Sequence, residues 1–230
     1  MKPYIFLSGN YLNNTVDDNA AEVDLRTIDT TTPYTVEANF TDIYGNGTFR
    51  AVDTIILQDT NIANMTVEVK NSIGVFVNLL SVTNNTESTV IIKVPEKVVA
   101  TAIRITVPEA DNPLNIRGKI GAYGFVCNLL ALTDSNYKIA ANQGDYRVVS
   151  GKYIHWADYK KWVGKVKMEN LPKEQFDLLT AQADIGEMTV IPYTDLEASE
   201  IYECGVNRGY SYEVDRKTEL FTLELELNEL

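Results

Sequence analysis

Several stretches of this chain alternate apolar and polar residues with a period of two, and that pattern restricts the fold more than any other feature. "MTVEVK" sets Met65, Val67 and Val69 against Thr66, Glu68 and Lys70. "TVIIKV" lines up Val90, Ile92 and Val94, and "AIRITV" sets Ile103, Ile105 and Val107 against Arg104 and Thr106. Near the end, "ELFTLELELNEL" sets Phe221, Leu223, Leu225 and Leu227 against Thr222, Glu224 and Glu226. Side chains of a strand point to opposite faces in turn, so each stretch predicts a half-buried antiparallel strand. "VDTIILQD" has a denser run, Ile55-Ile56-Leu57, as a strand covered on both faces would. Turn formers separate these runs: Asn61, Asn71 with Gly74, Asn84-Asn85 and Asp111-Asn112-Pro113. Short strands at this spacing, without long helical patterns, predict a β-sandwich over residues 1–130.

From Asn128 to Gly144 the alternation fades, and this polar stretch is expected to be the passage between two modules. Residues 131–230 then predict a smaller antiparallel β domain with one helix and five or six strands. The helix is expected in "NLPKEQFDLLTAQADIG", with Asn170 as its cap and Pro172 and Glu174 in its first turn. Phe176, Leu179 and Ala183 form its apolar stripe with Leu178 beside them, and Gly186 ends it. "MTVIPY" reads as a short strand whose end Pro192 pushes to an edge, and "EIYECGVNRGYSYEV" as a hairpin turning at Asn207-Arg208-Gly209.

The composition excludes several classes of function. A net charge of -12 repels a phosphate backbone, so nucleic acid is not an expected partner. No run approaches the roughly 18 apolar residues of a membrane helix, so no membrane partner is expected either. "MKPYIFLSGNYL" lacks a small-residue cleavage site and does not read as a signal peptide. Cys127 and Cys204 stand in apolar β contexts and are expected to be free thiols. A hydrolytic triad requires a histidine base, and His155 is the single histidine. One histidine and two cysteines make a thin zinc set, and no glycine-rich phosphate loop occurs. The expectation is a protein without catalytic residues, metal or cofactor, and so not an enzyme. Calcium has weak candidates in Asp17, Asp18, Glu22 and Asp24 of "NTVDDNAAEVD", which lack EF-hand spacing.

"GKYIHWADYKKW" holds both tryptophans. Tyr153, Trp156, Tyr159 and Trp162 could stack on sugar rings or fill a core or a subunit interface. The second reading is preferred, because a small β domain with one helix needs large residues. Lys160-Lys161 suggests a turn or short helical segment there, apolar side inward.

"AVDTIILQDTNIANMTVEV", followed by "ATAIRITVPEADNPLNIRGKIGAYGF", is similar to the central strands of discoidin-type, galactose-binding-like sandwiches. The residues that carry the resemblance are Val52, Asp53, Ile55, Leu57 and Asn61, then Ile103, Arg104, Ile105 and Val107, then Ile116, Ile120 and Gly124. It covers about residues 40 to 126 and rests mostly on core positions, so it implies a jelly-roll sandwich; the ligand-binding loops of that family do not stand out. The whole layout resembles distal-tail and baseplate proteins of bacteriophages and prophages. Trp156, Tyr159, Lys161 and Trp162 match a "W-x-x-Y-x-K-W" segment, with "LPKEQFDLLTAQADIGEMTVIPY" and "VDRKTELFTLELEL" following in order. That resemblance implies a non-enzymatic virion protein, assembled in the bacterial cytoplasm, that forms a homo-oligomeric ring and contacts other tail proteins. The alternative is a carbohydrate-binding module or host-receptor adhesin with a glycan as partner.

Overall fold

The structure is a computed structural model. It describes residues 3–13, 15–16, 26–42, 44–130, 136–147, 153–191 and 201–230, with the backbone alone at 3–4, 15–16, 128–130, 136–147, 153–162 and 208–209. In chain order the strands are β1 (Pro3–Ser8), β2 (Thr15–Val16), β3 (Thr27–Thr31), β4 (Tyr34–Phe40), β5 (Arg50–Gln58), β6 (Met65–Asn71), β7 (Phe76–Val82) and β8 (Val90–Val107). They continue as β9 (Asn115–Tyr123), β10 (Phe125–Leu130), β11 (Asn136–Arg147), β12 (Tyr153–Leu171), β13 (Glu187–Ile191), β14 (Tyr202–Asp215) and β15 (Leu220–Glu229). The helix α1 (Lys173–Ile185) lies between β12 and β13, and a 3-10 turn covers Tyr11–Asn13. The fold is mainly β, with two antiparallel sheets and one α-helix among the described residues.

The chain forms two compact units, one of residues 10–125 and one of residues 1–9 with 126–230. The opening residues were expected in the first module, yet β1 lies inside the second sheet, between β10 and β13. Phe6 and Leu7 explain this: both faces of β1 are buried there, as an interior strand requires.

Residues 10–125 form a β-sandwich whose eight strands share one hydrogen-bonded network. The hinge of the network is β8. Its first part pairs with β5, from Leu57↔Val90 to Arg50↔Ala100. Its last part lies between β4 and β6, with Ala102 opposite both Asn39 and Lys70. A register shift at Lys70/Asn71 leaves Thr101 as an extra residue in β8. One extra residue turns successive side chains to the other face. Ala100 is accordingly buried before the shift, and Ile103, Ile105 and Val107 after it. The strand thus passes from one layer, β3-β9-β5, to the other, β7-β6 and β4-β2. Ile55, Leu57, Val67, Val69, Ile103 and Ile105 meet in a single core. The predicted alternation of β6 holds, and β5 is buried from Val52 to Leu57, between β8 and β9.

The second unit is a seven-stranded sheet in the order β10-β1-β13-β14-β15-β12-β11. Leu223, Leu225 and Leu227 are fully buried, and α1 packs Phe176, Leu179 and Ala183 into the same core. Phe176 stacks on Phe221 at 4.3 Å between ring centroids. Gly186 ends the helix at φ 91°, its N–H donating to the Ala183 carbonyl at 3.0 Å.

Several expectations for this half need correction. Asn170 does not cap α1: Pro172 is the N-cap residue, without a side-chain cap bond, and Asn170 sits at φ 57°. A register shift between Met168 and Leu171 occupies the chain there. Leu178 is exposed, because it falls off the Phe176–Leu179–Ala183 stripe. β13 is interior, hydrogen-bonded to β1 and β14, although it ends just before Pro192. β14 does not turn at Asn207-Arg208-Gly209. It runs on with a bulge, since Val206 faces Leu227 and Tyr210 already faces Leu225. The expected passage at Asn128–Gly144 contains the end of β10 and most of β11, and Lys160-Lys161 lies inside β12 rather than in a turn or helix.

Candidate interaction surfaces

The aromatic stretch chosen from the sequence occupies the first half of β12. Tyr153, Trp156, Tyr159 and Trp162 stand opposite Arg147, Gly144, Asn142 and Ile139 of β11, with a register shift that leaves Asp158 extra. β15 pairs with β12 only over Val163–Leu171. Among the described residues, Tyr153–Trp162 therefore pairs with β11 alone. At about 3.3 Å per residue this two-stranded ribbon extends roughly 30 Å past the β15 pairing. Its side chains lie outside the described ones, so the choice between core, interface and sugar contact rests on backbone placement. The calcium candidates Asp17, Asp18, Glu22 and Asp24 lie outside the described residues. No group of three or more His, Cys, Asp or Glu placed to hold a metal occurs among the residues that are described.

The residues of the sandwich resemblance act in folding. Asp53 is buried, and its Oδ1 accepts the Phe125 N–H at 2.7 Å and the Thr54 hydroxyl at 2.9 Å. Arg104 reaches Glu37 at 3.0 Å and Glu68 at 3.3 Å and lies 3.7 Å over the Phe76 ring. Asn61 joins two turns by donating to the Asn115 carbonyl and accepting the Arg117 N–H. In the same loops, the Asn112 side chain accepts the N–H groups of Ala63 and Asn64 and donates to the carbonyls of Asn64 and Pro108. Asn64 and Asn85 add bonds of the same kind. These asparagine amides are spent on neighbouring backbone, which makes this end of the sandwich a stapled closure.

The opposite end carries a feature the sequence reading missed. β4 and β6 end at the same level of β8, one on each side of it. Two strand spacings, about 10 Å, separate them. The loops that leave them are built alike. In "DIYGN", Asp42 Oδ1 accepts the N–H of Tyr44 at 2.8 Å and of Asn46 at 2.9 Å. In "NSIGV", Asn71 Oδ1 accepts the N–H of Ile73 at 3.1 Å and of Val75 at 3.0 Å. Gly45 and Gly74 take φ 81° and 80°, a left-handed conformation that suits glycine. The Gly45 and Gly74 N–H groups then donate to the Asp42 and Asn71 carbonyls, each at 3.0 Å. Each loop thereby holds one large side chain out in water: Tyr44 is 82% exposed and Ile73 80%. Phe49, Val75 and Val99, at the same level, are also exposed. The shared signal is Asp or Asn, any residue, a large apolar residue, then Gly. Hydrogen bonds from the Asn46 backbone and side chain and the Tyr44 N–H hold the Asp42 carboxyl below its ordinary pKa.

Cys127 and Cys204 are both buried and free. β1 and β13 lie between their strands, so three spacings of about 4.8 Å separate them, too far for a disulfide. Burial raises both thiols to about 12, which removes them as nucleophiles at neutral pH. A polar recess of about 270 Å3 lies along β12, β14 and β15, lined by Lys167, Ser211, Tyr212, Glu213, Thr222 and Glu224.

No protein-family profile matches the chain, and no curated protein matches it. Among solved structures, the family 32 carbohydrate-binding module from Streptococcus pneumoniae EndoD is similar over 43% of this chain and 75% of that one, with 15% identity and a TM-score of 0.36. A likeness this distant assigns neither ligand nor activity to this chain.

Proposed function

We propose that this protein is a non-enzymatic structural component of a phage or prophage tail, at the tail tip or baseplate, acting through self-assembly and contacts with other tail proteins. The observation that carries the reading is the β11–β12 ribbon. A two-stranded ribbon is marginal in water by itself. This one has the aromatic-rich segment Tyr153–Trp162 as one of its strands, paired on one side among the described residues. Aromatic side chains on a projecting strand pair suit capture by a neighbouring subunit, where they would bury large areas. The order and spacing of the second half, similar to distal-tail and baseplate proteins, supports the same reading.

Electron microscopy and light scattering of the purified full chain test it. Closed rings are expected, and shortening the ribbon by excising residues 141–146 with 154–159 should leave folded monomers. A wild-type protein that stays monomeric at every concentration would sink the proposal. The rival, a carbohydrate-binding module, draws on the exposed aromatics Tyr44 and Phe49. Glycan-array binding lost on Tyr44→Ala, with melting unchanged, would favour it.

A further inference from the structure

We infer that Asn46 is a self-modifying site: the Gly47 backbone nitrogen closes on the Asn46 side-chain amide, and the acid that results releases the Tyr44 loop. The inference does not depend on the assembly reading above. Asn46-Gly47 is the one Asn-Gly pair in the chain. Glycine has no Cβ, so its nitrogen is the least shielded that can follow an asparagine. The local structure leaves that nitrogen open as well. Thr41 and Gly47 form a bridge in which the Thr48 N–H donates to the Phe40 carbonyl and the Asp42 N–H to the Asn46 carbonyl, both at 2.9 Å. These bonds flank Gly47, and its own N–H has no acceptor among the described residues. Apart from its chain neighbours, no heavy atom lies within 4 Å of the place a Gly47 Cβ would take. Both residues are exposed to water.

The side-chain amide is held as loosely. Asn46 Nδ2 donates to the two Asp42 carboxylate oxygens at 3.4 and 3.2 Å, long bonds at an exposed site. The other asparagines of these loops are tied by their oxygens. Asn71 Oδ1 accepts two backbone N–H groups, and the residue after it, Ser72, carries a Cβ. Asn61, Asn64, Asn85 and Asn112 each accept at least one backbone N–H. The step at Asn46 needs only water. The Gly47 nitrogen gives up its proton and attacks Asn46 Cγ. The Cγ–Nδ2 bond breaks, and the amide nitrogen takes up a proton and leaves as ammonia. Water then opens the cyclic imide at either carbonyl, to aspartate or isoaspartate. Aspartate puts a charged oxygen where Nδ2 donated to Asp42, and the two carboxylates repel. Isoaspartate routes the backbone through Cβ and Cγ, one carbon longer, which shifts Thr48 against Phe40 and breaks the bridge register. Either product loosens the turn in which Asp42 Oδ1 holds the Tyr44 N–H.

The test holds the full chain in mildly alkaline buffer below its melting temperature and maps its peptides by mass spectrometry with isoaspartate detection. Asn46 should convert before Asn61, Asn64, Asn71, Asn85 and Asn112. Gly47→Ala places its Cβ in open space, so melting should be unchanged, and conversion should be lost over the time in which half the wild type converts. Asn46→Asp carries the aspartate product from the start. It should speed hydrogen exchange of the Tyr44 amide several-fold and leave the Ile73 amide unchanged. Conversion of Asn46 in the denatured chain but not in the native one would overturn the inference, as would equal conversion in Gly47→Ala. An unchanged Tyr44 amide in Asn46→Asp would overturn the release of the loop.

Discussion

At the scale of single residues, the two tip loops form a natural comparison, because one is held by a carboxylate and the other by an amide. Asp42 and Asn71 accept equivalent pairs of backbone N–H groups. The folded-state pKa of Asp42 is lowered, so the order it lends its loop is present at neutral pH and is lost as pH falls through that lowered value. Asn71 does not titrate. Amide exchange followed from about pH 5 to pH 2 should show the Tyr44 amide loosening while the Ile73 amide holds. Asp42→Asn should remove the difference, and simultaneous loosening of both loops would refute the assignment. The cysteines give a simpler check. With both thiols buried and raised to about 12, a thiol-specific reagent should label neither until the second unit unfolds. Rapid labelling of the native protein would place one of them at the surface. Burial of the cysteines was legible from their apolar strand contexts. The tips were not, because an Asx turn depends on a side-chain bond to backbone, which leaves only a faint four-residue pattern among many asparagines.

At the scale of elements, legibility followed the contrast between a strand's two faces. β15 was readable because Leu223, Leu225 and Leu227 lie in the core while Glu224 and Glu226 face out. It is central, flanked by β14 and β12, so its glutamates guard no edge. Glu224 instead pairs with Lys165 across the strands at 2.7 Å, both side chains being partly exposed. Leu223→Asp should therefore cost more than about 4 kcal/mol by burying an unpaired charge, enough to unfold the second unit. Glu224→Ala should cost no more than about 1 kcal/mol, as for an exposed ion pair. Thermal melting of the two variants checks this, and equal tolerance would remove β15 from the core. β11 and the first half of β12 escaped the reading for the opposite reason. Each pairs over this stretch with just one neighbour among the described residues, so the sequence is not forced into sharp alternation, and the polar run from Asn136 resembles a linker. The sequence of β14 mimics a hairpin because a bulge at Asn207-Arg208-Gly209 uses the same residue types as a turn.

At the scale of the whole molecule, the chain order of the units sets a condition on how they can be separated. The second unit starts at residues 1–9, leaves for the sandwich at Asn10 and resumes at Val126. The sandwich is thus an insertion between β1 and β10, which are neighbours in the same sheet. Its own two ends meet inside it, since Asn10 Oδ1 accepts the N–H groups of Leu12 at 3.1 Å and Ala122 at 3.2 Å. A plain reading of the alternation places one boundary near residue 130, because a nine-residue excursion into another sheet carries no periodic signal of its own. Cutting the chain there strands β1 on the wrong fragment and leaves a gap between β10 and β13, where Phe6 packs with Val190 and Met188. A fragment of residues 126–230 should therefore be unstable, by at least the several kcal/mol that buried Phe6 and Leu7 contribute at about 2–3 kcal/mol each. Joining residues 1–9 to 126–230 through a short Gly-rich linker should restore a cooperative melt, and residues 10–125 should fold alone. Calorimetry of the three chains decides the matter. If residues 126–230 melt cooperatively without β1, or if the linked chain fails to fold, then β1 is not an interior strand of this sheet and the insertion topology is wrong.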